Sequence, residues 1–416
     1  MSKLVTGDAI PDDHAHILAL DGVRGIAILL VVVYHWYAYS RLITSPSGGL
    51  IPTAITNVID VGWAGVDLFF VLSGFLITGI LFDAKEGRGF FRNFYARRIL
   101  RIFPAYYGYL LLLIVVLPLL LRDNVDLSIL RHNQLYYWTY LYNVWIPLRP
   151  LTNIGLYGNG HIWSLAIEEQ FYLVWPLVVF AFGRRMLMAI CAACVAGALL
   201  LRIALVVGAV SDLNNIYAPI MLMPARIDTL ALGGILALAT RTPSERALVQ
   251  RFAPHIAVAA SLVVAVLFVY KRELSPFDHQ VQTLGFSAIA FLFAAMIALV
   301  ITSATDSRLR WVCERAPLRF FGRYSYALYI IHLQIAILAA KYIGEHRALP
   351  DVAGSPLPSR FAFTIAGVAI SVALAWCSWH LYEKRILKLK RFFPYQRRAS
   401  AEPPTGADAA PTRAAQ

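Results

Sequence analysis

LDGVRGIAILLVVVYH, from Leu20 to His35, is the stretch on which the reading of this chain turns. It is apolar enough for a membrane helix, yet it carries Arg24 and His35. Eleven residues separate the two, about 16 Å along a helix axis and three turns plus roughly 20° around it, so both lie on nearly one face. Ionisable groups inside a membrane span are costly and mark functional sites by default. One helix face thus presents a fixed cation near one bilayer surface and a titratable imidazole near the other.

The rest of the sequence supports a membrane setting. Hydrophobic residues make up 59% of the 416 and charged residues 15%, against about 25% charged in soluble domains, and the mean hydropathy is +0.63. Apolar runs that can cross a bilayer need about 20 residues. Ten are present, near 22–40, 61–82, 102–121, 161–182, 186–209, 219–240, 255–271, 282–303, 320–342 and 361–383. The expected fold is an all-α integral membrane bundle of about ten helices. LYYWTYLYNVWIPL, from Leu135 to Leu148, is too short and polar to span and reads as an interfacial aromatic segment.

The net charge of +13 does not point to nucleic acid, because the cations sit in short loops and not in an aromatic-interleaved patch. With both termini cytoplasmic, the inner segments hold 25 of the 37 lysines and arginines, a strong positive-inside bias. That pattern predicts a bacterial-type cytoplasmic (inner) membrane protein. Residues 1–19 form its cytoplasmic N-terminal segment, 20–385 its transmembrane domain, and 386–416 a basic juxtamembrane segment against anionic lipid followed by a disordered tail. MSKLVTGDAIPDDHAH is acidic and shows no clear cleavage site, so the first span is expected to be retained. Cys191 and Cys194 form a C-x-x-C inside an apolar run, where packing thiols are the better reading than a redox or zinc site.

Several side chains join Arg24 and His35 as candidates. Asp67, in GVDLFFVLSGFLIT, falls near the outer end of the second span, at a depth similar to His35. A carboxylate there can orient the imidazole and raise its basicity, as a general base requires, or satisfy a neighbouring backbone or hydroxyl group. FYARRILRIFPAYY brings Arg97, Arg98 and Arg101 to the depth of Arg24, with Arg98 and Arg101 on one helix face. Clustered guanidiniums suit bidentate phosphate recognition, though a basic edge also anchors lipid phosphate. HIWSLAIEEQFYLVWP places His161, Ser164 and Glu168 on one face beside Glu169, with Arg226 of MPARIDTLALGG as a plausible counter-ion. These residues serve acceptor binding or structural pairing, and their spacing is not that of a zinc site, so no metal is expected. His332, in YSYALYIIH, reads as a satisfied interior histidine.

Taken in order, these motifs resemble the membrane-bound acyltransferase 3 family, which includes bacterial O-antigen and exopolysaccharide O-acetylases. The resemblance runs from about Leu20 to Arg385, and its most specific element is the Arg-x10-His pair, Arg24 and His35. It implies ten core spans and transfer of an acyl group, usually acetyl, from cytoplasmic acyl-CoA to a hydroxyl of a carbohydrate or glycoside. It also implies a catalytic His35 and handling of the donor by Arg24, Arg98 and Arg101. Many members carry a further SGNH hydrolase-like domain that this sequence does not contain. The resemblance therefore favours a stand-alone acetylase or a macrolide-type acyltransferase over the fused peptidoglycan type. The rival reading is a polytopic transporter or flippase of a carbohydrate or lipid-linked substrate. It would favour internal repeats and broken helices in matching halves, which the sequence does not display.

Overall fold

A computed structural model describes residues 17–46, 49–120, 130–148, 160–208, 216–304, 307–346 and 348–395. The expectations for residues 1–16 and for the tail beyond residue 395 lie outside the described residues. Ten helices are long and apolar enough to cross a membrane: α1 Leu18–Ser40, α2 Leu50–Ala84, α3 Phe90–Leu119, α4 Ile162–Ala181, α5 Arg184–Gly208, α6 Ala218–Ala239, α7 Pro243–Lys271, α8 Val281–Thr302, α9 Ala316–His346 and α10 Leu357–Phe392. Among the described residues there is no β-strand, only one isolated bridge between Val352 and Ser355. The protein is a multi-pass membrane protein, helical throughout its described spans.

Each predicted run lies within or largely within one helix, but several helices outrun their apolar cores. α2 begins eleven residues before the predicted start at 61, through LIPTAITNVID. α10 continues through the basic KRILKLKRF to Phe392. The described part of the basic segment, through Tyr395, folds back on α3. Arg97 donates to the carbonyl of Phe393 at 3.2 Å and stacks on Tyr395, and Asn93 donates to the carbonyl of Pro394 at 2.6 Å. Lys384, Arg385, Lys388 and Arg391 along it stay exposed.

The helices sort into inner and outer ones by how much of their apolar surface the bundle covers. Of its most apolar window, α6 buries 72% of the residues, whereas α5 and α7 bury 17% each. α6 is therefore central, while α5 and α7 turn leucine and valine side chains outward to lipid. Without a hydrophobic driving force between helices in lipid, close association relies on small residues at the crossings. At the α2–α6 crossing a methyl group on Gly74 would strike the carbonyl of Leu230, and one on Gly233 would strike that of Val71. At the α1–α9 crossing the same holds for Gly25 against Leu318 and Gly322 against Asp21.

Two buried ion pairs pin the central helix. Arg226 of α6 pairs with Asp67 of α2 and stacks over the Phe286 ring at 4.0 Å. Arg202 of α5 pairs with Asp228 at 2.8 Å and also donates to the carbonyl of Ala225 and to Ser287. Arg226 and Asp228 are two residues apart, so they leave α6 on roughly opposite sides and each needs its own partner. This corrects the expectation that Arg226 counters Glu168 or Glu169.

In the aromatic segment Tyr137, Tyr140, Tyr142 and Trp145 are buried, with Tyr140 stacked on Tyr106 of α3 at 4.2 Å, while Leu135, Val144 and Leu148 stay exposed. Its irregular backbone is satisfied from α4, where Gln170 donates to the Tyr140 carbonyl and exchanges amide hydrogen bonds with Asn143. Non-helical backbone is tolerated in such a protein when protein groups complete its hydrogen bonds.

Candidate active site

Among the described residues, two neighbouring cavities inside the bundle hold most of the candidates. The first, of about 100 Å³, is walled by Arg24, Arg98, Arg101, Ser73, Glu168, Glu169 and Tyr172, among others. The second, of about 310 Å³, is walled by His35, His161, Asp67 and Arg226 together with aromatic side chains, including Trp63, Trp163 and Phe286. Only Val66 and Tyr329 belong to both walls. Tyr329 is held there by Ser164 Oγ at 2.5 Å and donates to the His161 carbonyl at 3.1 Å.

The arginine cavity arises where α1, α3 and α4 meet α2 and α9. Arg98 and Arg101, one turn apart on α3, enter it together, whereas Arg97 points to the folded-back end of α10. Arg24 pairs with Asp21 at 3.2 Å. Among the described residues neither Arg98 nor Arg101 has a carboxylate within ion-pair distance, and Arg98 Nε is buried without a partner. Glu168 is held instead by Ser73 Oγ at 2.7 Å, and the same hydroxyl lies 2.9 Å from Tyr172 Oη. Three guanidiniums with few protein partners make a site for a polyanion.

Three imidazoles lie in series at the histidine cavity, His35 and His161 in its wall and His332 buried behind them. His35 Nδ1 faces the Val31 carbonyl at 2.9 Å and His332 Nε2 at 3.1 Å. His332 Nδ1 faces the carbonyls of Tyr329 and Leu328 at 2.8 and 3.0 Å. His161 Nε2 faces the carbonyl of Ile330 at 3.0 Å, and its ring packs edge-on to His332. A ring nitrogen facing a carbonyl must carry the proton, so the neutral tautomers follow from the partners. His332 is protonated on Nδ1, His161 on Nε2 and His35 on Nδ1. His35 Nε2 is then the unprotonated nitrogen of a half-buried ring in the cavity wall.

A family profile described as an acyltransferase domain, of the acyltransferase 3 type, matches residues 17–377. The chain belongs to this family. The chain is 29% identical over 416 residues to a putative peptidoglycan O-acetyltransferase, YrhL, of Bacillus subtilis, an alignment covering 92% of this chain and 57% of the relative. It is 30% identical over 345 residues to the peptidoglycan O-acetyltransferase OatA of Listeria monocytogenes, covering 78% of this chain and 50% of that one. A putative O-acetyltransferase of Staphylococcus aureus, SACOL0978, is 26% identical over 345 residues, covering 79% of this chain and 52% of the relative. The chain spans about half the length of these curated relatives. No solved structure matches it.

The fold brings most of the sequence-derived candidates to the two cavities, but it redistributes them. Arg24, Arg98 and Arg101 line one wall together, and His35 lines the other. The expected pairing of His35 with Asp67 is replaced: Arg226 holds the carboxylate, and His332 sits at His35 Nδ1. Glu168, Glu169 and Ser164, expected level with His35 on the acceptor side, line the arginine cavity. Asp67 does share the histidine cavity with His35, but Glu168 lies seven residues beyond His161 on α4, about 10 Å along the axis, and so falls at the arginine cavity. Of that motif, His161 and Trp163 reach the histidine cavity.

His332 is the satisfied interior histidine the sequence suggests, buried with both ring nitrogens partnered, and one of those partners is His35. Ser73 and Tyr172 join the site although sequence reading gave them no part. Serine and tyrosine are common interhelical hydrogen-bonding residues in membranes, so residue type alone did not single them out. Among the described residues no group of three His, Cys, Asp or Glu side chains is arranged to hold a metal ion.

Proposed function

We propose that this acyltransferase moves an acetyl group from cytoplasmic acetyl-CoA to a hydroxyl of a cell-surface or exported glycan, with His35 as general base. The observation that carries this reading is the division of one interior into an arginine cavity and a histidine cavity that share only Val66 and Tyr329. Arg24, Arg98 and Arg101 suit the phosphates of coenzyme A, a polyanion that cannot enter lipid. The extended pantetheine arm is comparable with the separation of about 16 Å between Arg24 and His35 along α1.

The histidine cavity suits a carbohydrate. Its aromatic walls offer faces to a sugar ring. Among the described residues, Asp67 Oδ2, His161 Nδ1 and two nitrogens of Arg226 are buried in that region without hydrogen-bond partners. They offer both donors and acceptors, the mixture that hydroxyl groups satisfy. The relatives named peptidoglycan O-acetyltransferases support a glycan acceptor, and they lend no support to the macrolide-type alternative. Membership of an acyltransferase family removes the transporter reading.

In the proposed step His35 Nε2 accepts the proton of the acceptor hydroxyl as its oxygen attacks the thioester carbonyl. The carbon–sulfur bond breaks, coenzyme A leaves as thiolate and is reprotonated, and the ester remains on the glycan. The orientation assumed has both termini cytoplasmic and the arginine cavity towards the cytoplasm, in keeping with the positive-inside count.

The test is mass spectrometry of surface glycans from cells carrying the wild-type protein, the His35→Ala variant, or neither. The wild type should add the mass of an acetyl group per modified residue, and His35→Ala should lose it while accumulating normally in the membrane. Full acetylation by His35→Ala would overturn the mechanism.

A further inference from the structure

Asp67 is taken by Arg226, so the group that orients His35 is not an acid. We infer that His332 is the positioning residue for His35, using an imidazole lone pair where a carboxylate would be expected. The inference rests on the reading of His35 as the base.

The chain of contacts leaves one consistent proton arrangement. The backbone of α9 fixes the proton on His332 Nδ1, because both partners there are carbonyl oxygens. His332 Nε2 is then a lone pair, 3.1 Å from His35 Nδ1. His35 Nδ1 donates to it and to the Val31 carbonyl together. When His35 gains a proton on Nε2, its Nδ1–H becomes a charge-assisted donor to His332, and the imidazolium is stabilised relative to the neutral ring. His332 cannot also be charged, since its Nδ1 and Nε2 would both be donors and two N–H groups would face each other across 3.1 Å. The result is one base with a fixed tautomer and one neutral orienter fully buried behind it.

The remaining titratable and charged groups around His35 do not supply this contact. Tyr34 and Tyr39 come from its own helix, Asp67 from α2, His161 from α4, Tyr217 and Arg226 from the α6 region, and Tyr329 from α9. Asp67 and Arg226 are bound to each other. His161 commits its Nε2 proton to Ile330 and touches His332 by its ring.

The experiment reads His35 itself and needs no acceptor. The protein in lipid nanodiscs is treated with diethyl pyrocarbonate across a pH series, and carbethoxylation of the His35 peptide is quantified by mass spectrometry. The unprotonated imidazole nitrogen attacks one carbonyl of the reagent, and ethyl carbonate leaves and breaks down to carbon dioxide and ethanol. The rate therefore follows the neutral fraction of His35.

With His332→Phe the charged form loses its acceptor, and the midpoint should fall by about one pH unit, the size expected for a charge-assisted hydrogen bond. His332→Gln, whose amide oxygen can take the place of Nε2, should return the midpoint to within roughly a third of that shift. If the phenylalanine variant does not accumulate, His332→Met supplies the apolar comparison. A midpoint unchanged in the apolar variant, or a glutamine variant that behaves like it, overturns the inference. Failure of the underlying reading appears separately, as acyl transfer by His35→Ala.

Discussion

Tyr329 Oη lies 2.5 Å from Ser164 Oγ, and this contact between α9 and α4 closes the wall between the arginine and histidine cavities. In the proposed reaction a donor held at the arginines would meet His35 past that ring or past Val66, which among the described residues line both cavities. Tyr329→Ala should merge the two cavities and admit longer acyl groups. The ratio of kcat/KM for butyryl-CoA to that for acetyl-CoA should rise about tenfold, the low end of what one methylene in a fitted pocket is worth. Thiol release with each donor measures it. Tyr329→Phe, which keeps the ring, should leave the ratio within about threefold, since it removes a hydroxyl and no volume. An unchanged ratio in the alanine variant would show that the partition does not select the acyl chain.

Arg98 and Arg101 share a cavity, while their neighbour Arg97 binds the end of α10. Replacing either cavity arginine with alanine should raise the KM for acetyl-CoA about 10- to 100-fold, as expected for one hydrogen bond to a charged group. The kcat should change little, because phosphate contacts hold the donor equally before and during transfer. Arg97→Ala is the control and should leave KM within about twofold, because its contacts lie outside that cavity.

Asp67 and Arg226 form a pair with almost no solvent exposure. Removing one partner strands a buried charge, so Asp67→Ala or Arg226→Ala should cost about 3–5 kcal/mol of stability. The double replacement should recover part of that loss. Thermal unfolding in detergent measures each, with His35→Ala expected close to wild type. Equal stability of the single and double variants would mean that the pair does not act as a unit.

Asp278 lies in the turn between α7 and α8, where it takes a hydrogen bond from Lys271 and caps α8 through the backbone N–H groups of Gln280 and Val281. Partial burial pushes its carboxyl up, but these hydrogen bonds outweigh it and hold the carboxyl below its ordinary value. A carboxyl lowered on folding stabilises the folded protein above its unfolded value and loses that effect as pH falls through the folded one. Asp278→Asn should therefore lower the melting temperature at pH 7 and converge on wild type as the pH falls through the folded-state value, where the aspartate side chain also becomes neutral. A difference that persists undiminished in acid would assign the effect to packing of the adjacent Pro276 and Phe277 against the histidine cavity.

The sequence by itself determined the ten spans, the common face of Arg24 and His35, and the common face of Arg98 and Arg101. Those are local properties: a chain in lipid must satisfy its backbone within each helix, and helical periodicity then fixes which side chains share a face. Only the tertiary structure decided that Asp67 belongs to Arg226, that Glu168 faces the arginines, and that His332, almost 300 residues along the chain, stands behind His35. Those pairings depend on how far each helix slides and turns against its neighbours. That register is set by contacts such as Gly74 on Leu230 and Gly322 on Asp21, between residues that no local period connects.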